Sequence, residues 1–338
     1  MKKAIFSVVG VSALLLMGQV GAQQPAAGAA EAKPVLHVPD QKLARNIADT
    51  IYNTWRVSML SGNESSWRGV TTQARQVKVR NLIISQKGQF PRDIFRNQPA
   101  PPALENFAFV GALAGPTNRT LAATYLGTLQ LGDGKPAMNA YVLEFVHEGG
   151  KWRFDQSRFF NLSQLPQVEK RLKAGDLSVL KEQDGFHPYT APPKVPAACP
   201  YPQLIGKVFV DAQGRDIEMR INGVSEHEFV DERRADVISG GLKRGLNTIT
   251  YTIRTPNEKT RPTMAIGLFV MPETPGNKPV CVFDHIIDAG DEARGGTFSF
   301  TVSNEMIASM SPKFSGAAPQ PFHAVPLKTG KAGAPAAK

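Results

Sequence analysis

The chain has 338 residues, 42% of them hydrophobic, which is room and apolar material for two cored domains at the usual size of roughly 150 residues each. That content excludes a wholly disordered chain. The formal net charge is +10, but it is local: residues 40–190 carry nineteen Lys and Arg against thirteen Asp and Glu, residues 197–310 carry twelve against fifteen, and the stretch after 310 adds four lysines with no acid. Basicity therefore belongs to the first half and the tail, and it does not make the second half a binder of polyanions.

The first residues predict export. Lys2 and Lys3 precede an uncharged apolar run from Ala4 to Met17, and Val20, Gly21 and Ala22 close it with small side chains. This is the order of a secretory signal peptide cleaved near Ala22. The run is shorter than the roughly 20 apolar residues that cross a bilayer. An exported, periplasmic or secreted chain rarely meets nucleic acid, so nucleic acid is not an expected partner.

Residues 23–39 are rich in Ala, Pro and Gly, lack periodicity, and predict a disordered tail. From residue 40 the pattern becomes helical. Leu43, Ile47, Ile51 and Trp55 recur every four residues, widened by Ala44, Ala48 and Met59, with Asp40 as N-cap and Ser61-Gly62-Asn63 as stop. A second helical stretch is predicted from about Glu64 to Ser85. Four strands follow at about 105–114, 119–131, 139–147 and 151–162, joined by turns at Gly115–Asn118, Gly132–Gly134 and Gly149-Gly150, and then a helix near 164–174. This makes residues 40–187 an α+β domain of helices on a curved antiparallel sheet.

The helix bearing Trp55 and the strand–Gly turn–Lys151-Trp152-Arg153 ending of residues 141–154 resemble the NTF2-like superfamily, which includes the SnoaL-like enzymes and many binding domains. The resemblance covers roughly residues 40–165. It implies a cone whose inner face can hold a ligand.

Residues 188–202 hold five prolines after His187-Pro188 and predict a stiff linker. Residues 203–310 read as all-β, with short strands at 203–211, 215–221, 227–231, 246–254, 263–271, 279–287 and 296–302 separated by turn signals such as Asn222-Gly223 and Gly240-Gly241. Arg220–Gly223 and Leu242–Ile253 resemble stretches of jelly-roll, β-sandwich domains accessory to sugar enzymes. Residues 311–338 predict a disordered basic Ala- and Pro-rich tail. Cys199 and Cys281 are the only cysteines, and in an oxidising compartment they are expected to pair as a disulfide.

Strand alternation sorts the first domain's side chains. One face collects Tyr125, Tyr141, Leu143, Phe145, Trp152 and Phe154, and the aromatic face is expected inside the cone. Trp55, Tyr125, Tyr141 and Trp152 are thus the pocket candidates. Glu144 and Asp155 fall on the outer face, while His147, Gln156 and Arg158 fall on the inner one. Without a paired acid and base, His147 is the one catalytic candidate, and an aromatic core with His147 at its rim is the plainer reading. No P-loop, Gly-x-Ser-x-Gly, His-Glu-x-x-His or dinucleotide fingerprint is present. The acids around His227 and around His285 read as surface strand and loop residues, so no metal site and no cofactor is expected.

Between Arg68 and Arg96, seven cations stand against Asp93 alone, and Arg68, Arg75, Lys78 and Arg80 are the anion-binding candidates. The expected partners are envelope polymers, anionic lipid headgroups or other envelope proteins. These features predict a non-enzymatic binding or interaction protein of the cell envelope. The alternatives are an isomerase- or hydrolase-like enzyme using the cone, and a structural envelope component.

Overall fold

A computed structural model describes residues 36–96, 99–130, 135–181, 191–254, 262–291 and 294–324. The expected signal peptide, the tail before residue 36, the turns at 132–134 and 256–257, and most of the basic tail lie outside the described residues. Among the described residues the fold is α+β with three sheets, none closed, and the chain falls into two compact units. One comprises the residues up to Arg80 with Gln89–Pro196, and the other comprises Asn81–Gly88 with Ala197 onward. No helix among the described residues is long and apolar enough to cross a membrane.

In the first unit, α1 (Gln41–Ser61) starts where the Asp40 carboxylate accepts from Lys42 N and Leu43 N, and it ends where Gly62 turns left-handed at φ 66°. Its buried side is Ala44, Ala48, Tyr52 and Trp55, one position around from the expected stripe; Leu43 is 58% exposed. The cause is local. The two alanines let the helix lie close to the sheet, and the Tyr52 hydroxyl donates to Pro102 O at 2.8 Å and accepts from Tyr141 at 3.0 Å.

The expected helix 64–85 is two helices, α2 (Glu64–Val70) and α3 (Gln73–Ser85). Thr71 bridges to Phe154, and Thr72 N donates to Phe154 O at 3.0 Å, so the β-branched pair leaves the helix to bond the sheet. The last residues of α3 count with the second unit, where Asn81, Ser85 and Lys87 make bonds to Cys199, Gly240 and Glu273.

Strands β1 (Ala108–Ala114), β2 (Thr120–Leu129), β3 (Ala137–Glu148) and β4 (Lys151–Asn161) form an antiparallel meander in chain order. α4 (Pro166–Lys173) and α5 (Ser178–Lys181) follow, and Leu172 and Leu180 share a core with Ala140 and Val142 on one face of the sheet. The opposite, aromatic face packs on Tyr52 and Trp55 of α1. Residues 36–39, expected to be part of a disordered tail, join the sheet instead: His37 and Ala114 exchange both backbone bonds, at 3.0 and 2.9 Å.

The second unit holds β5 (Gly206–Asp211), β6 (Asp216–Ile221), β7 (Ser225–Val230), β8 (Arg233–Val237), β9 (Gly245–Arg254), β10 (Met264–Val270), β11 (Val280–Ile287), β12 (Gly295–Val302), α6 (Asn304–Ala308) and β13 (Phe322–His323). One sheet runs β13-β11-β10-β5-β8 and the other β12-β9-β6-β7. Pairing is antiparallel except for β13 on β11. Val208, Ile266 and Phe283 of the first sheet share a single core with Ile217, Ile249 and Phe300 of the second. The Gly240-Gly241 turn needs its second glycine: φ is +63°, and a Cβ there would lie 2.1 Å from Leu204 O. β13 corrects the expectation that everything after 310 is disordered, because Phe322 and His323 pair with Phe283 and Asp284.

The expected Cys199–Cys281 disulfide does not form: the two sulfurs are not at bond distance. Cys199 lies buried with its sulfur 3.5 Å from Ser85 Oγ, while the Cys281 thiol donates to Phe283 O at 3.3 Å. Cys199 thus has a polar contact on α3, while Cys281 bonds within its own strand β11.

Candidate functional site

The four pocket candidates pack among other side chains of their own unit. Trp55, Tyr125 and Tyr141 are buried and Trp152 half-buried. Tyr141 stacks on Phe159 with centroids 4.1 Å apart, Trp55 lies 4.5 Å from Phe154, and Tyr52 meets Tyr141 and Phe154 edge-on. Burial pushes the Tyr141 phenol up to about 12 and the Tyr52 and Tyr125 phenols higher still, and the Asp49 carboxylate that accepts from Tyr125 at 2.7 Å adds to its rise. These rings stay neutral and act as fill with hydrogen-bonding tips.

His147 sits half-buried near the end of β3, its ring 5.3 Å from Trp152 and its backbone N–H on Arg119 O. No acid partner is drawn to its ring by the register, which pairs it with Trp152.

The two strand carboxylates are buried, where strand alternation puts them outside. The β3–β4 register shifts between Glu144 and Phe145, so Glu144 pairs with Gln156, Phe145 pairs with Phe154, and Asp155 is the extra residue. One consequence is that Gln156 and Arg158 share a face with Glu144 rather than with the aromatic rings. Gln156 donates to Glu144 at 2.7 Å, and Arg158 Nε lies 3.3 Å from its other oxygen. Burial raises the Glu144 carboxyl to about 7 against the pull of Arg158 and Gln156. Asp155 turns the other way, accepting from the Thr72 hydroxyl. The one trace of this in the sequence is a lone Glu inside the apolar run Val142–Val146.

The basic segment is divided by the fold. Arg75 is not a free surface cation: its guanidinium lies 4.9 Å over Phe154 and 5.4 Å over Trp55, and it donates to Asp155 O at 2.7 Å. Lys78 and Arg80 are half-buried on α3, with the Lys78 charge felt at Glu144. Arg68 alone of the four is exposed, pairing with Glu64 at 2.7 Å and lying over Phe90. It borders an open depression of about 360 Å³ shared with Gln73, Gln76, Glu148, Gly149 and Arg153. Arg153 donates to Gly69 O at 2.8 Å and to Arg68 O at 3.1 Å, which holds the depression's floor to the α2–α3 break.

In the second unit, His227 Nε2 lies 2.7 Å from Ser225 Oγ, and its Nδ1 lies 3.4 Å from Asp236. The order matches a nucleophile, a base and an orienting acid. Ser225 is fully buried, however, and its oxygen already accepts from Ser239 N at 2.7 Å. The trio therefore ties β7 to β8. Among the described residues, no group of three or more His, Cys, Asp or Glu converges as metal ligands.

No protein-family model, curated protein or solved structure matches this chain.

Proposed function

We propose that this chain is an exported, non-enzymatic binding or interaction protein of the cell envelope, with an NTF2-like cone followed by a β-sandwich. The meander capped by α1 supports the cone, and two sheets sharing one core support the sandwich. The observation that carries the reading is the ring-on-ring filling between α1 and the sheet. Side chains of the chain itself occupy the face on which a cone-shaped enzyme would hold substrate. Contact with a partner then falls to the surface, where the Arg68 depression offers guanidinium N–H groups suited to the phosphate, sulfate or carboxylate of envelope polymers and lipid headgroups.

The test is retention of the full-length protein on heparin, reversed by salt. Arg68→Glu is expected to lower the eluting salt concentration clearly, while replacing Lys328, Lys331 and Lys338 with Gln leaves retention in place. Flow-through of the wild type at low ionic strength, or indifference to Arg68→Glu, sinks the reading.

A second reading rests on Glu144, a buried carboxyl bonded by Gln156 and facing Arg158, which burial raises to about 7, in the range of a group that exchanges a proton at neutral pH. It makes the first unit an enzyme for a small apolar substrate. It requires that Glu144→Gln abolish turnover while circular dichroism stays native; unchanged turnover rejects it.

A further inference from the structure

β11 is covered by β10 along one edge and by β13 alone along the other. The β13 contact is specific. Phe322 stacks on Phe283, with centroids 5.8 Å apart and planes 11° from parallel, and it also reaches Phe298. His323 Nδ1 lies against the Asp284 carboxylate. Ala324 N donates to Asp284 O at 2.9 Å, Ala324 O lies 2.9 Å from His285 Nδ1, and the Ala324 side chain joins the core.

The hold is nevertheless short. Two residues form the ladder, and Phe322 keeps 40% of its surface exposed. Behind them, residues 309–321 contain no helix or strand. Lys278 N anchors Met310 O at 2.9 Å, which leaves 311–321 as a tether able to span roughly 36 Å when extended.

An edge with unpaired N–H and C=O groups invites another strand, and covering it with a local segment is one way to prevent that. Here the cover is itself a strand on a long tether, so the same segment from another molecule brings identical contacts and needs no new surface. An aromatic ring for Phe283, a basic group for Asp284 and a small residue for the core are what the edge accepts, in that order. This chain carries them in that order.

We propose that the outer edge of β11 is a strand-acceptor site that takes Phe322–Ala324 of a second copy of this chain by the contacts it makes to its own. Tethering gives the chain's own strand the advantage at low concentration, and exchange grows as concentration rises.

The experiment uses a chain ending at Gln320 and a labelled peptide of residues 319–326. The peptide should bind the shortened chain saturably and the full-length chain at least tenfold more weakly, because the resident strand competes. Peptides carrying Phe322→Ser or Ala324→Pro should fail to bind. A folded shortened chain that binds no peptide, or one that binds the altered peptides equally well, overturns the proposal. If the shortened chain does not fold, full-length Phe322→Ser replaces it. Amide exchange at Phe283–His285 should then rise and be slowed again by the wild-type peptide, and failure of the peptide to restore protection is equally decisive.

Discussion

Glu144 and Arg158 lie 3.3 Å apart on neighbouring strands, 1% and 8% exposed. Removing both charges from water costs several kcal/mol per ion, and mutual attraction repays it only with good geometry and further hydrogen bonds. Gln156 supplies one such bond. The balance still leaves the carboxyl well above its ordinary value, because burial is the larger effect.

That balance sets a pH dependence. With Glu144 near 7 in the folded chain and 4.5 unfolded, the folded chain holds a proton that the unfolded chain has lost between those values. Stability therefore falls as pH rises through that window, by on the order of 3 kcal/mol. Urea unfolding from pH 4.5 to 8 should show the fall in the wild type and not in Glu144→Gln. Arg158→Met should cost about 3–5 kcal/mol at pH 8, by leaving a buried carboxylate unpaired. A wild type that gains stability across the window would contradict the assignment.

Arg75 is expected to behave as a packing residue. Its guanidinium covers Trp55 and Phe154 and bonds Asp155 O, uses that a flexible ammonium does not reproduce. Arg75→Lys keeps the charge but should lower stability by about 1–2 kcal/mol. Its heparin retention should stay close to wild type. Thermal unfolding and salt elution measure the two effects separately; a large loss of retention with unchanged melting would assign Arg75 to the surface instead.

The cysteines give a chemical check. Two thiols per chain should titrate with a disulfide reagent after unfolding without reductant, and added reductant should leave the melting temperature unchanged. Burial, aided by the Asp284 charge, pushes the Cys281 thiol up to about 11. In the native protein it should react slowly at pH 8 and roughly tenfold faster per pH unit toward 10. No titratable thiol after unfolding would restore the expected disulfide.

Much of the chain's order is legible without coordinates, and the reasons are local. Gly149 and Gly150 at φ 59° and 76° close the β3–β4 hairpin where the glycine pair predicts it, and Asp40 and Gly62 bound α1. β8 and β13 are harder to see. Arg233–Val237 is short and charged, and Phe322–His323 sits in a Pro- and Ala-rich stretch that lacks alternation. Their status as strands comes from the neighbours they pair with, β5 and β11.

The same division holds for the candidate site. By itself the sequence determined the order of α1 and the β1–β4 meander, the caps of α1 at Asp40 and Gly62, and that Trp55, Tyr125 and Tyr141 lie inside, because hydrophobic alternation and glycine conformations act within a few residues. Tertiary structure alone decided the fate of Glu144, Asp155, Gln156, Arg75 and the two cysteines. One extra residue in β4 reverses which face each later side chain takes. It persists because Asp155 finds Thr72 and Arg75, eighty or more positions away in sequence. Likewise Cys199 packs against Ser85, more than a hundred positions away in sequence. Partners that distant are brought together only by the packed core, and no local pattern encodes them.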